Sequence, residues 1–408
     1  MTRDFDIIIA GGGLNGLTLA LAVAQGGATV ALVDPGDIVV RGAQGFDGRG
    51  YALSLASVRL LAALGVWAGV AERSQPILDV RVSDGRAGEG AAPLDLHFDH
   101  AEIEEGPLGH MLEDRHLRPA LLAQVDRQAR ITHLDCRQIA GHTVSDAGVA
   151  VLLADGSTLT AGLLVGADGK RSPTAMRCGI RRIGWGYGQT ALVAAIDHDL
   201  PHNGCAHQFF TPQGPLAVLP LPGNRSSIVW TEQSDTATAI ASLNDADYLD
   251  ILRPRFGDFL GEIALAGKRF SYPLQLSLAT RWVSARVALA GDAAHVVHPI
   301  AGQGLNAGLK DVAALAQVVT DAARRGEDPG RADVLERYES WRRFDTLSLA
   351  AATDAVNRLF SNDNPLLRLA RDAGMAAVNA MPALRRGLIR EAAGLGGDTP
   401  RLSRGLPL

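Results

Sequence analysis

Residues 5–34 read FDIIIAGGGLNGLTLALAVAQGGATVALVD, and this stretch decides the fold of the chain. It begins with a short apolar run, passes through a glycine turn into a segment rich in Ala and Leu, and ends in a second apolar run. The pattern predicts a strand, a tight turn, a helix and a second strand. Such a unit is the usual start of a parallel sheet with helices packed on it.

The glycine turn has the spacing of a dinucleotide-binding motif. Gly11, Gly13 and Gly16 form G-x-G-x-x-G at the mouth of the predicted helix, and Asp34 closes the next strand. The first glycine permits the turn, the second lets the backbone approach a pyrophosphate, and the third lets helix and strand pack. The helix N-terminus supplies a positive dipole, and Asp34 can accept hydrogen bonds from an adenosine ribose. A glycine connector without a ligand is the alternative, and the strand-helix-strand context weighs against it.

Downstream patterns divide the rest of the chain. LLVGAD at 163–168 and RVALAGD at 286–292 resemble buried strands that end on an acid, followed by small residues that open a helix. We expect them to join the first strands in one parallel sheet. Between 185 and 276, alternating stretches separated by Gly and Pro indicate antiparallel strands of an inserted domain.

The C-terminal third is predicted to be mostly helical. Residues 307–393 are rich in Ala, Leu and Arg at helical spacing, and Asn364 and Pro365 fit the N-cap and first residue of a helix. Arg342 and Arg343, beside Trp341, most simply form a solvated helix face. The last dozen residues are expected to be a loose tail.

Composition excludes several classes of protein. The chain has 408 residues, which is enough for two or three domains. Its composition, with 47% hydrophobic and 20% charged residues, argues against disorder. A formal net charge of -5 makes nucleic acid an unexpected partner. Three cysteines without a CxxC pair argue against a disulfide framework and a zinc site and favour a reducing cytoplasm. The first residues are unlike a secretory signal, so a mature N-terminus is expected.

A second glycine-rich region bears on the choice of cofactor. GDAAHVVHPIAGQGLNAG at 291–308 places an acid after a strand and then three closely spaced glycines before a helix. NAD needs no such second loop, whereas FAD could use Asp292 for its ribityl hydroxyls and the backbone of 302–308 against its ring. The alternative is a glycine-rich connector. His295 and His298 lack further ligands at metal spacing, so we expect no metal and a packing or flavin-shaping role.

Several motifs resemble those of a known family. GADG at 166–169, GDAAH at 291–295 and HPIAGQGLNAGLKD at 298–311, with the N-terminal GGGLNG, resemble flavoprotein aromatic hydroxylases of the para-hydroxybenzoate hydroxylase fold. GFDGRGYAL at 45–53 and AGKRFSYPL at 266–274 are similar to the ubiquinone-biosynthesis hydroxylases among them. The resemblance runs in order from residue 5 to about 390.

This resemblance implies an α/β fold: a Rossmann-like FAD-binding domain with an inserted, mainly antiparallel β substrate domain and C-terminal helices. The implied FAD-binding domain is discontinuous and comprises residues 1–75, 105–180 and 280–345. The implied substrate domain comprises residues 76–104 and 181–279. Residues 346–408 form the implied C-terminal helical region.

The resemblance also implies the residues that hold FAD. Asp168 lies in a DG motif that such enzymes share between FAD and the reduced nicotinamide. An Arg common seven residues after that aspartate is Ala175 here, which places the nicotinamide-facing role of the segment in question. The implied cofactor-binding residues are Gly11, Gly13, Gly16, Asp34, Arg49, Arg115, Asp168, Gly169, Asp292, Pro299, Gly302, Gln303, Gly304, Leu305 and Asn306.

The implied reaction hydroxylates a polyprenylated phenol with dioxygen and NAD(P)H through a flavin hydroperoxide; no catalytic side chain is named. The alternatives are a flavin hydroxylase of a small soluble aromatic and a flavin-binding assembly subunit without turnover. A prenylated substrate is too apolar to move freely through water, so a membrane surface, at its inner face, or companion biosynthetic proteins are expected partners. Leu366, Leu367, Leu369, Met375, Met381, Leu384 and Leu388, interleaved with Arg368, Arg371, Arg385, Arg386 and Arg390, are the residues that could meet such a surface, with packing on the body as the alternative.

Overall fold

The computed structural model describes residues 3–42, 49–84, 95–362 and 364–408, and the side chains of Leu366, Leu367 and Leu369 lie outside this description. The helices, numbered in chain order, are α1 Leu14–Gln25, α2 Ile38–Arg41, α3 Leu55–Ala63, α4 Asp114–Asp126, α5 Pro173–Arg177, α6 Ser234–Ala241, α7 Asp245–Phe256, α8 Gln303–Arg324, α9 Ala332–Phe360, α10 Pro365–Ala380 and α11 Pro382–Ala392.

The strands form three sheets. They are β1 Phe5–Ala10, β2 Val30–Val33, β3 Gly50–Ser54, β4 Gln75–Ile77, β5 Asp79–Asp84, β6 Leu96–Asp99, β7 Gly109–Glu113, β8 Ile131–Leu134, β9 Ile139–Ser145, β10 Gly148–Leu153, β11 Thr158–Gly166, β12 Arg182–His198, β13 Cys205–Thr211, β14 Gly214–Leu221, β15 Arg225–Gln233, β16 Ile263–Leu265, β17 Phe270–Ala279, β18 Val283–Ser284, β19 Val287–Leu289 and β20 His295–Val296.

The first sheet confirms the predicted parallel arrangement. Its order is β18-β19-β11-β1-β2-β8, and β19, β11, β1, β2 and β8 run parallel. β1 and β2 are almost wholly buried because α1 and α8 pack against this sheet and close the largest apolar core. The carboxyl ends of β1, β11 and β19 therefore meet at one edge, where ligands of such sheets bind. After β19 the chain forms two short 3-10 turns, Gly291–Ala293 and Ile300–Gly302, with β20 between them, so no α-helix begins before α8, in contrast to the prediction.

The second sheet confirms the predicted antiparallel strands. Its order is β20-β17-β12-β15-β14-β13-β5-β6, and its neighbours are antiparallel except for β13 and β5. α6 and α7, absent from the prediction, interrupt the chain between β15 and β16 and cover one face of the sheet, where Trp230 is buried against Tyr248. Trp230 is thus a core residue. β3, β7 and β4 form a third, small sheet. The domain boundaries stay a prediction.

The prediction of a loose C-terminal tail is wrong. Leu402 and Ser403 are buried in a short 3-10 turn that packs against α3 and α8. Arg401 pairs with Asp321, and the Trp341 indole donates to the carbonyl of Asp398 at 3.0 Å. The tail is docked because burial of the apolar Leu402, with the two polar contacts beside it, offsets the entropy lost when this linker-like segment is ordered.

The prediction that Arg342 and Arg343 form a solvated helix face is wrong for Arg342. Arg342 is buried and donates to Asp311 at 3.0 Å and to Asp345 at 2.8 Å, whereas Arg343 is partly exposed beside Glu339. Asp311 lies on α8, and its fully buried carboxylate requires partners, which are Arg342 from α9 and His295 from β20. Within the described part of the chain, every helix is too short or too polar to cross a bilayer.

Candidate cofactor and substrate site

The glycine turn after β1 is shaped by two crowded glycines and one open glycine. Gly11 has φ +107°, and a Cβ there would lie 2.5 Å from the carbonyl oxygen of Ala167. A Cβ on Gly16 would lie 1.8 Å from the carbonyl oxygen of Gly11. A Cβ on Gly13, at the N-terminus of α1, would meet no heavy atom within 4 Å. The first and third glycines therefore pack the turn, and Gly13 faces open space where a phosphate could approach the helix N-terminus.

Asp34 lies directly after β2, beside the turn. Its side chain is buried, and its Oδ1 accepts a hydrogen bond from the backbone N–H of Gly36 at 2.7 Å. A Cβ on Gly12 would clash with the carboxylate at 2.2 Å, so the second residue of the triple glycine must be small for Asp34 to reach the turn. The position fits the predicted contact with a ribose.

A cavity of about 800 Å³ extends from the glycine turn across the molecule. Of the predicted cofactor residues, those that line it are Gly13, Arg49, Gly169, Asp292, Pro299, Gly302, Gln303, Gly304, Leu305 and Asn306. Gly11 and Gly16 shape the turn behind it, and Asp34 borders a separate small cleft. Arg115 and Asp168 are not among its lining residues. The tertiary structure thus brings four distant segments to one surface, and their contacts with FAD stay a prediction.

Asp168 is held within its own loop. Its Oδ1 accepts from the Ser172 hydroxyl at 2.5 Å and its Oδ2 from the backbone N–H of Thr174 at 2.9 Å, so both oxygens fix the start of α5. Gly169 follows with φ +81° and lines the cavity. This geometry gives the aspartate a positioning function and leaves the neighbouring backbone to face the cavity.

Asp292 follows β19 and reaches the cavity from the same sheet edge. Its carboxylate is accessible from the cavity yet is crowded by protein atoms, and this burial raises its pKa, while His295 and Arg182 oppose the shift. Arg182, from β12, donates to the carbonyls of Ala293 and Asp292 and so holds the loop in place. An acceptor at this point is suited to the hydroxyls of a sugar-like chain.

The two predicted arginines lie close to carboxylates. Arg115 pairs with Glu113 at 2.7 Å, and Arg49 lies 3.2 Å from Asp114. Asp114 also receives both guanidinium hydrogen bonds of Arg118, at 2.9 Å each. Arg118 lines the cavity and was missed by the sequence analysis; the spacing of Asp114 and Arg118, four apart on α4, was the available signal.

The loop 297–302 and the start of α8 form the centre of the cavity wall. Gly302 has φ +64°, and a Cβ on Gly304 would meet no heavy atom within 4 Å, so the helix begins with an open, small-residue surface. The Asn306 amide oxygen accepts from the backbone N–H of Ser54 and the hydroxyl of Ser57, and its nitrogen donates to the carbonyl of Ala52. Asn306 thus fastens α8 to β3, and the N-terminal dipole of α8 points to this region.

The far wall of the cavity is mainly apolar, and the polar Gln208, Ser227 and Thr231 also line it. One face of the second sheet supplies aliphatic and aromatic side chains, and α11 closes the wall at one end. The residues are Val80, Val82, Phe98, Ala191, Val193, Phe210, Ala217, Leu219, Val229, Leu274, Leu388, Ile389 and Ala392. One cavity therefore joins a polar, glycine-lined half to an apolar half, as expected for a cofactor above a hydrophobic substrate.

Comparisons with known proteins give the family. A family model described as the FAD binding domain matches residues 4–347. Ubiquinone hydroxylase UbiL of Rhodospirillum rubrum is 47% identical over 406 residues, which cover 99% of this chain and 93% of that protein. The chain belongs to the FAD-dependent ubiquinone-biosynthesis hydroxylases. Membership confirms FAD as the cofactor and the predicted family resemblance.

Two further similarities agree with this family. 3-Demethoxyubiquinol 3-hydroxylase of Escherichia coli is 33% identical over 396 residues, covering 96% of this chain and 98% of that protein. The crystal structure of p-nitrophenol 4-monooxygenase PnpA from Pseudomonas putida has a TM-score of 0.80 at 19% identity, covering 97% of this chain and 99% of that chain. At this identity the structural likeness shows the fold alone, and it confirms the predicted fold class.

Proposed function

We propose that this protein is an NAD(P)H-consuming monooxygenase that uses FAD and dioxygen to hydroxylate the ring of a polyprenylated phenol in ubiquinone biosynthesis. The observation that carries the proposal is the single cavity that runs from Gly13 past the 299–306 loop to the apolar face of the second sheet. When bound, FAD supplies the oxygen chemistry after reduction by NAD(P)H. The names and identities of the relatives support the substrate class.

The residues of the chain have separate tasks in this reaction. The glycine turn and Asp34 are proposed to bind the adenosine and pyrophosphate half of FAD, and Asp292 its ribityl chain. The open backbone at Gly304, next to the turn at Gly302, is proposed to face the ring, since a side chain at Gly304 would occupy that space. The apolar wall excludes water, which protects a reactive oxygen from loss as hydrogen peroxide.

A direct assay tests the proposal. Purified, FAD-loaded protein is supplied with NADH or NADPH and a short-chain prenylated phenol, and both nicotinamide oxidation and product mass are followed. We expect a product heavier by one oxygen, in near-equal amount to the nicotinamide oxidised. Faster turnover of an unprenylated hydroxybenzoate would favour the small-aromatic alternative. Bound FAD without oxidation of either nicotinamide, with any phenol offered, would favour the assembly subunit.

The cavity opens beside α11, which indicates how a long tail could leave it. Leu388 lines the cavity and is also 42% exposed, so it stands at the mouth, whereas Ile389 is buried inside. Leu384 is exposed at 44% and shares the helix face of Leu388, which it precedes by four residues, and Met381, exposed at 47%, directly precedes the helix. An apolar row therefore continues the cavity wall onto the outer surface.

We propose that this row lies against an anionic lipid surface from which the substrate enters. Exposed Arg386 accompanies the row on α11 and is suited to lipid phosphates, and the exposed Arg390 beside it pairs with Glu105 at 3.3 Å. Arg385 was expected to contribute as well, but it is engaged with Glu102 at 2.8 Å. On α10, Arg371 is buried in a pair with Asp84 and Met375 is buried, so this helix packs on the body of the protein.

Sedimentation with vesicles tests the surface. We expect Leu384→Asp combined with Arg386→Glu to reduce binding to vesicles that contain phosphatidylglycerol, since each arginine contributes about 1 kcal/mol at an anionic surface. Phe344→Asp is the matched control, because Phe344 is 77% exposed on α9 and should leave binding unchanged. Wild-type protein that stays in the supernatant and still hydroxylates long-chain substrate at full speed would contradict the proposal.

A further inference from the structure

The side of α9 that faces solvent is apolar over about 22 Å of helix. We call it the outer face, and its exposed residues between positions 344 and 359 are Phe344, Leu347, Ser348, Ala351, Ala352, Ala355, Arg358 and Leu359. Their spacing of three and four residues places them in one stripe. A solvated helix ordinarily carries polar or charged residues on the side away from the core. The outer face therefore has the composition of a surface that another element covers.

Two side chains of β12 border the outer face. Trp185 is 43% exposed and lies beneath the guanidinium of Arg358, whose central carbon is 5.2 Å from the centroid of the indole ring. Ile183 is 63% exposed and points to the same side of β12 as Trp185, because it lies two residues earlier in the strand. Single exposed apolar side chains are ordinary on a protein surface, whereas a contiguous apolar patch marks an interaction surface. The helix and the strand together present such a patch.

The side chains of the outer face follow the same order in both directions from its midpoint, which lies between positions 351 and 352. Two alanines flank this midpoint, Ser348 and Ala355 lie equally far from it, and so do Phe344 and Leu359. A two-fold axis makes residue i of one copy meet residue j of the other, and j meet i. Two antiparallel α9 helices with an axis at this midpoint therefore place small side chains together at the centre and Phe344 against Leu359 at both ends. Small side chains at a crossing let two helices approach closely.

The charges beside the outer face have the same symmetry, with opposite signs. Asp345 and Arg358 also lie equally far from the midpoint. Asp345 is 40% exposed beside Lys310 and Arg342, and Arg358 is 63% exposed beside Asp354, so each has an open side for a further partner. The antiparallel arrangement brings Asp345 of one copy to Arg358 of the other, twice, whereas a parallel arrangement brings like charges together. Such pairs at the rim of an interface fix the register and orientation of the partners.

We propose that the outer face of α9 is the site at which two copies of this chain pair, antiparallel, around a two-fold axis at the midpoint of the face. Ile183 and Trp185 border this interface on each copy. The proposal is independent of the reaction and of its substrate. The buried side of the same helix carries Arg342, which binds Asp311 on α8, so pairing also restrains the helix that supplies this buried contact.

The first experiment measures the mass of the FAD-loaded protein by light scattering over a range of protein concentrations. We expect two chains per particle for wild type. Ala351→Glu should raise the dissociation constant of the pair by about 100-fold, because it brings like charges together beside the axis. Ala332→Glu is the matched control, since Ala332 is an exposed alanine of the same helix that lies outside the outer face. Flavin absorbance and circular dichroism verify that each variant is folded and loaded.

The second experiment tests the register by disulfide cross-linking. Ser348→Cys and Ala355→Cys are made in a Cys136→Ser background, because Cys136 is an exposed native thiol. In the proposed arrangement position 348 of one copy meets position 355 of the other. Co-expression of the two variants should therefore give cross-linked dimers on mild oxidation. Either variant alone should give far fewer, since equal positions of the two copies lie about 10 Å apart along the helix, which is too far for a disulfide.

Three results overturn the proposal. Wild type that remains a single chain throughout the micromolar range would show that the outer face does not pair. A dimer that survives Ala351→Glu, or that cross-links as readily in each single cysteine variant, would show that the copies meet elsewhere. Each copy keeps its own row on α11, so unpaired protein should still sediment with vesicles at saturating lipid. Loss of that sedimentation in Ala351→Glu would assign the outer face to the lipid surface instead.

Discussion

Gly13 and Gly16 are both glycines of the same turn, but they are required for different reasons. Gly16 is needed for folding, because any side chain would meet the Gly11 carbonyl oxygen at 1.8 Å. Gly13 has ordinary extended backbone angles, and its Cβ would enter open space. The protein itself could thus accommodate a larger residue at Gly13, and a bound pyrophosphate could not.

Substitutions at these two glycines separate binding from folding. Gly13→Val should yield folded protein without FAD, because the valine side chain occupies the space of the pyrophosphate. Gly16→Ala should lower the yield of folded protein and its melting temperature. Absorbance of bound flavin and circular dichroism measure the two effects. Full FAD content in a folded Gly13→Val protein would contradict the assignment of this turn.

The helices α8 and α9 pack against each other around the buried carboxylate of Asp311. This carboxylate is fully buried, accepts from His295 at 2.5 Å and from Arg342 at 3.0 Å, and receives the backbone N–H of Gly291 at 3.1 Å. Burial raises the pKa of Asp311, but pairing with His295 and Arg342 outweighs it and lowers the pKa below its ordinary value. The network joins both helices to the loop that carries Asp292, so it positions the proposed ribityl contact.

Two neighbouring arginines on α9 test this network. Arg342→Met should lower the free energy of unfolding by about 3–5 kcal/mol, because it removes the guanidinium from a buried carboxylate that keeps only His295 and a backbone N–H as partners. Arg343→Met should cost less than about 1 kcal/mol, since its pair with Glu339 is partly exposed. Urea unfolding of both variants, monitored by tryptophan fluorescence, gives the comparison. Equal effects would mean that Arg342 is not the essential partner of Asp311.

At the scale of the whole molecule, the C-terminal segment ties the two sheets together. The carbonyl of Ala393, after α11, accepts from the backbone N–H of Ala56 at 3.0 Å. At its other end α11 is held by Arg385 on Glu102, in the turn after β6 of the second sheet. α11 therefore bridges the proposed FAD-binding half and the substrate half, at the mouth of the cavity.

The docked C-terminal tail should contribute to the stability of the whole protein. Leu402→Ala should lower the free energy of unfolding by about 2–5 kcal/mol, as expected for a fully buried leucine. Leu406→Ala, at a residue that is 44% exposed, should change it by less than about 0.5 kcal/mol. Denaturant midpoints at constant FAD concentration measure both. A tail that contributes nothing would give the same midpoint for both variants and wild type.

The sequence by itself determined the local elements and the class of ligand. Backbone geometry and the period of hydrophobic residues are properties of neighbouring residues in the sequence. They therefore predict the glycine turn, the buried strands followed by Asp34, Asp168 and Asp292, and the helical C-terminal third. The antiparallel second sheet was predictable for the same reason. The glycine motifs also predict FAD, because close approach of the backbone to a cofactor requires glycine at fixed spacing.

Only the tertiary structure decided which residues meet. The burial of Arg342 and Leu402 depends on partners 31 residues away on α8 and on the surface of α3, which no local pattern encodes. The pair of Arg385 with Glu102 likewise joins segments that are far apart in the chain. The burial of a side chain depends on the residues that pack around it. An arginine is therefore solvated or buried according to which neighbours the fold places beside it.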